Sequence, residues 1–292
     1  MDNNIIGADC QLAYQLNYHP IFRISVFWTF LVSFFAIPGL CYFIIGRLLS
    51  LRFHGNLKFL LLVYFCNILL SAILSCFGFG YRFFVPFFAK TECDLLIDPT
   101  FFKYWHVTSL LVLTSSTLLP IGFSIERFVA LKLVARYEHF RTILGPALVV
   151  ILIGSDLICV KLIYLYETFS GPHLSLILVP STSAMQFNIF FYFLLSVQLF
   201  NLVCNFFILK RHSRLKTRYL QRTETLSLRY EMEEIEQSSR FTLVVSFTHM
   251  LFVGCYIVCG IITRTVGSSF LKIPLITLQS EQFSARFQPI VL

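Results

Sequence analysis

Glu126 and Arg127 stand side by side where residues 105–125, a run without Asp, Glu, Lys or Arg, give way to charged sequence. A carboxylate beside a guanidinium can hold it inward. Once released, the guanidinium is a planar, permanently charged fork of donors suited to a partner's backbone carbonyls. The competing reading is an ordinary basic flank. Tyr137 and Glu138 follow on the same connection, ahead of Arg141 and the pair Gly145-Pro146, and Lys210-Arg211 closes another apolar run, residues 187–209. Asp156 lies near the middle of the run 143–166, where an ionised group is costly, so it faces protein or water or is protonated. It is either a ligand or ion contact or a buried, hydrogen-bonded acid. Lys161 lies five residues on, about 140° around a helix, and snorkels outward instead of pairing with it.

No Gly-x-Ser-x-Gly, no His-Glu-x-x-His and no phosphate-cradling glycine loop occurs, so the chain is not expected to be an enzyme. No Cys-x-x-Cys pair joins a His at metal spacing, so neither a metal nor a cofactor is expected.

The elements that must hold these residues are apolar. The 292 residues are 57% hydrophobic and 13% charged, where soluble domains carry about 25% charge. That composition argues against a water-soluble enzyme, a disordered chain and a disulfide-stapled secreted domain. An outer-membrane barrel would show alternating segments of about ten residues instead of continuous runs. The expected fold class is an all-α polytopic membrane protein. A helix needs about 20 apolar residues to cross the hydrocarbon, and six runs qualify: 24–46, 57–79, 105–125, 143–166, 187–209 and 241–262.

Charge placement orients them. Arg47, Arg52 and Lys58 lie at the first connection and Arg127, Lys132, Arg136 and Arg141 at the third. The fifth holds Lys210, Arg211, Arg214, Lys216, Arg218, Arg222, Arg229 and Arg240. The alternate connections are poorer in cations, which places the three basic ones in the cytosol and the N-terminus outside. The net charge of +8 is therefore read as cytosolic loops on a bilayer protein and not as a nucleic-acid surface. Residues 1–23 form the expected extracellular N-terminus, 24–262 the bundle and 263–292 an atypical tail. Cys10 and Cys93 are the two cysteines clearly in the oxidising outer compartment, so a disulfide between them is expected. In the tail, Glu281 and Arg286 would each cost roughly 2.5–3.5 kcal/mol inside the membrane. A seventh span is thus read as missing or eroded.

Glu126-Arg127 followed by Tyr137-Glu138 resembles the signature of nematode serpentine chemoreceptors of the Sra-like superfamily. Ala36-Ile37-Pro38, the stretch from Phe53 to Lys58, Asp98-Pro99 and the stretch from Leu226 to Glu234 agree with it. The similarity covers residues ~10–262, with class alpha/beta nearest and class epsilon next. Membership implies a seven-helix G-protein-coupled receptor on chemosensory neurons, in the plasma membrane of their cilia, binding small chemical cues from outside. It implies a heterotrimeric G protein as partner; the basic part of the fifth connection, with Lys210 and Arg211, is either a solvated charged face or, with Arg127, the surface on which that partner docks. Three departures stand out: the seventh helix, the lack of Cys in the outer loop 167–186, and the lack of Pro in residues 241–262. By position, His106, Thr108, Asp156 and Phe187 are candidate pocket residues. The rival classes are a transporter or channel, for which inverted repeats or a polar pore ring are not seen, and a truncated, non-signalling receptor remnant.

Overall fold

The computed structural model describes residues 3–51, 53–133, 143–169, 171, 173–176, 183–220 and 226–270. Among the described residues there are seven α-helices: α1 (Asn3–Tyr18), α2 (Pro20–Tyr42), α3 (Gly55–Phe88), α4 (Pro99–Lys132), α5 (Leu144–Ile163), α6 (Ala184–Leu220) and α7 (Leu226–Phe270). Among the described residues, five helices are long and apolar enough to cross a membrane: Pro20–Ser50, Gly55–Phe88, Pro99–Lys132, Leu144–Ile163 and Met185–Arg214. The sixth apolar run belongs to α7, which is one continuous helix of 45 residues. Of the tail 263–292, expected to lack a seventh span, residues 263–270 complete α7 and residues 271–292 lie outside the described ones.

Helix starts follow local chemistry. Asp98 caps α4, its carboxylate accepting from the Phe101 N–H at 3.0 Å, and Pro99 occupies the first turn, where its missing N–H costs nothing. That is the physical content of the Asp98-Pro99 pair. The run 24–46 is helical from Pro20, again with proline in the first turn, and α2 continues through a π turn (Phe43–Arg47) and a 3-10 turn (Leu48–Ser50).

The helix α4 is central. Of its most apolar stretch 61% is buried, against 6% for Pro20–Ser50, and it packs against α3, α5, α6 and α7. The reason is its composition: small and hydroxylated residues on α4 allow close approach and interhelical hydrogen bonds, the main sources of association once lipid surrounds the bundle. One tight spot fixes α5. Gly145 lies against the start of α3, where an added Cβ would fall 2.6 Å from the Asn56 carbonyl oxygen. The Gly145 N–H donates to Asn56 Oδ1 at 3.0 Å. The conjunction explains why an Asn at the start of α3 and a Gly at the start of α5 occur in one sequence.

At the end opposite Arg127, a disulfide joins Cys10 of α1 to Cys93 in a short 3-10 turn, Glu92–Leu95. Asp94 Oδ2 accepts from the Lys90 and Thr91 N–H groups, each at 2.9 Å, and those bonds hold its carboxyl below the usual carboxylate range. Within the expected extracellular N-terminus, 1–23, the described residues are mostly helix, with Cys10, Ala13 and Leu16 buried.

Candidate functional site

The Arg127 end is built on the last turns of α4. Glu126 and Arg127 are 0% and 1% exposed. Arg127 Nε donates to Glu126 Oε2 at 2.5 Å and Nη2 to Oε1 at 2.6 Å, a bidentate pair, while Nη1 donates to the Ser238 hydroxyl on α7. Ala130, Met232 and Ile235, with Val129 and Leu133, form an apolar cluster beside it. A buried ion pair is weak evidence for stability, because desolving both ions offsets their attraction. What the arrangement does is couple two helices: the guanidinium is neutralised within α4 and spends its remaining edge on α7. Lys210 and Arg211, near the far end of α6, are exposed. Tyr137 and Glu138 lie outside the described residues.

The disulfide end is closed by two connections. Ile97 and His173 exchange backbone bonds of 2.9 and 3.2 Å, and Arg82 reaches from α3 to the carbonyls of Leu95 (3.1 Å) and Leu174 (2.6 Å). Beneath this plug His106 is buried against Phe102, ring centroids 5.0 Å apart, and His173 stacks on Phe102 at 3.8 Å. Tyr164 stands 5.8 Å from His106 and 5.4 Å from Phe169. Phe187 stacks on Phe191 at 4.5 Å, in an apolar cluster that Tyr164 also joins. His106 Nε2, Ser109 Oγ, Tyr164 Oη and His173 Nε2 are buried without a hydrogen-bond partner among the described residues. Each such atom costs about 1–3 kcal/mol unless a hydrogen-bond partner completes it. Burial also holds the His173 imidazole below its ordinary value, with Glu167 nearby pulling the other way.

The four positional pocket candidates therefore separate. His106 lies against Tyr164, and Tyr164 and Phe187 pack on the same cluster of Leu110, Val160 and Phe191. Thr108 is exposed, two residues and about 200° around α4 from His106. Asp156 is fully buried but deeper, accepting from Ser115 Oγ at 2.5 Å, and Ser115 lies nine residues, or about 13 Å, along α4 from His106. The structure does not bring either of them to the His106 cluster.

A polar belt across mid-bundle escapes sequence reasoning. Thr114, Ser115, Ser116 and Thr117 are all buried, and at about 100° per residue they point in different directions. Ser115 meets Asp156 on α5, Ser116 accepts from Asn67 on α3 at 2.8 Å, and Thr117 lies 3.4 Å from His249 on α7. His249 also lies 3.1 Å from the Tyr64 hydroxyl. Farther along, Ser124 donates to Asn201 at 2.5 Å and accepts from Asn205 at 2.7 Å, tying α4 to α6. The signal was the hydroxylated run itself, in an otherwise apolar helix. Among the described residues no cluster of His, Cys, Asp and Glu has the makings of a metal site.

The chain's residues 18–253 match the family model described as "Serpentine type 7TM GPCR chemoreceptor Srb". It is 51% identical to serpentine receptor class beta-3 of Caenorhabditis elegans over 90% of this chain and 76% of that one. Serpentine receptor class beta-12 of the same organism is 48% identical over 91% of this chain and 76% of its own length, and class beta-13 is 47% identical over 89% and 76%. No solved structure matches.

Proposed function

The chain belongs to the Srb family of serpentine chemoreceptors, within the Sra-like superfamily, and from that premise we propose that it is a G-protein-coupled receptor for an external small-molecule cue, with Arg127 as its cytosolic switch. The observation that carries this reading is the buried bidentate pair of Glu126 and Arg127, with the third guanidinium nitrogen on Ser238 of α7. In the resting bundle α4 and α7 are bolted together at that end. Moving α7 away frees one edge of the guanidinium for the backbone carbonyls of a heterotrimeric G protein, and Lys210 and Arg211 add attraction at the rim.

The cue's site is the cluster under the plug: His106, Tyr164 and His173 supply polar atoms, and Phe102, Phe169 and Phe187 the apolar walls. A small amphipathic molecule that hydrogen-bonds the orphaned atoms satisfies the cost described above. The protein lies in the plasma membrane of a sensory cilium, with the Cys93 end outside and the Arg127 end in the cytosol, as the basic connections indicate.

Cue-dependent nucleotide exchange on a co-expressed G protein tests the proposal, with wild type compared to Arg127→Ala. Wild type responds and the variant does not. A cue that drives both equally overturns the switch.

A further inference from the structure

A cleft of about 430 Å³ opens between α6 and α7 at the Arg127 end, lined by Phe206, Leu209, Lys210 and Arg214 of α6 and by Glu236 and Arg240 of α7, among others. Its position is unlike that of the switch. Arg127 points into the bundle, whereas Phe206 is 58% exposed and Lys210, Arg214 and Arg240 are exposed too. Phe206, Lys210 and Arg214 are spaced by four and therefore form one stripe along α6, rising about 6 Å per step. The stripe begins apolar, next to the exposed Phe200, Val203 and Phe207 of the lipid-facing surface, and becomes cationic one turn later. From the other wall Arg240 leans over the cleft, paired with Glu236 at 2.6 Å.

We infer that this cleft binds the phosphorylated headgroup of an anionic membrane lipid. Three cations against one acid favour a polyanion. The apolar start of the stripe, continuous with the hydrocarbon-facing surface, suits an acyl chain and has no use for a free phosphate. The volume suits a headgroup and is too small for a docked protein helix. Anionic lipids are concentrated in the cytoplasmic leaflet, and basic pockets between helices at that face recognise such headgroups. The bound lipid bridges α6 and α7 two residues from Ser238, so it sets the spacing of the helices at the Arg127 bolt.

The test uses the full chain in phosphatidylcholine nanodiscs with or without phosphatidylinositol bisphosphate, read by native mass spectrometry of retained lipid. Wild type keeps the phosphoinositide. Lys210→Gln combined with Arg214→Gln lowers its apparent affinity roughly tenfold or more. Arg240→Gln on the opposite wall lowers it about threefold, which secures the reading if the double variant misfolds. Lys132→Gln removes an exposed cation from the same end outside the cleft and leaves affinity unchanged. Equal losses in Lys132→Gln would show unfocused attraction and overturn the site. So would soluble inositol trisphosphate binding as tightly as the lipid, or a purified G protein shielding Lys210 from acylation where phosphoinositide vesicles do not.

Discussion

Arg127 on α4 donates to Ser238 on α7 while its other two nitrogens grip the neighbouring Glu126. The contact spans 111 residues of sequence and joins the last turns of α4 to α7, two helices that also share the mid-bundle link between Thr117 and His249. A hydrogen bond to a charged group contributes about 1.5–3 kcal/mol, enough to decide the balance between two packings of a helix pair.

Ser238→Ala removes the α7 half of that contact and leaves the ion pair intact. Basal nucleotide exchange is expected to rise roughly tenfold or more without any cue, measured in membranes against Ser239→Ala. An unchanged basal rate means that Ser238 does not restrain Arg127.

Closure of the plug is expected to depend on pH through His173. Burial holds its imidazole below the ordinary value of 6.5, and this exceeds the opposing pull of Glu167. The closed form thus binds fewer protons than the open form, so closure is fully favoured above about pH 6.5 and weakens as pH falls through the depressed value. Protection of the Leu95–Ile97 and Ser175–Leu176 amides, expressed relative to their intrinsic exchange rates at each pH, should fall on acidification, and His173→Phe should abolish that fall while keeping the stack on Phe102.

Gly145→Val places side-chain atoms on the Asn56 backbone, where a Cβ alone would already stand 2.6 Å from oxygen. That oxygen belongs to a helix start and has no rotamer with which to yield. A loss of roughly 1–3 kcal/mol is expected, seen as a lower unfolding temperature in detergent. Gly154→Val, with nothing within 4 Å, is the tolerated control.

Much of this architecture is written in the chain's one-dimensional pattern. The apolar runs, their cationic flanks and the pairing of Glu126 with Arg127 depend on composition and on neighbours in sequence. The helix α1 does not: its Asn, Asp and Gln residues are mixed with apolar ones, and its burial depends on Cys93 eighty-three positions away. The directions of Thr114 to Thr117 are equally illegible, because a hydroxyl's partner is decided by which helix crosses there. The position of Thr108 beside His106 in sequence concealed their separation around the helix, whereas the depth of Asp156 was legible from its place in mid-run and only its partner, Ser115, was not. The plug at the disulfide end is pure tertiary structure, made by a bridge between two connections and an arginine from a third element.

The most direct test of the account is the distance between spin labels at Phe128 of α4 and Gln237 of α7, both on exposed positions beside the bolt, recorded with and without an activating cue. The distance should lengthen with the cue and be already longer without it in Ser238→Ala. An activating cue that stimulates nucleotide exchange while leaving that distance unchanged would contradict it.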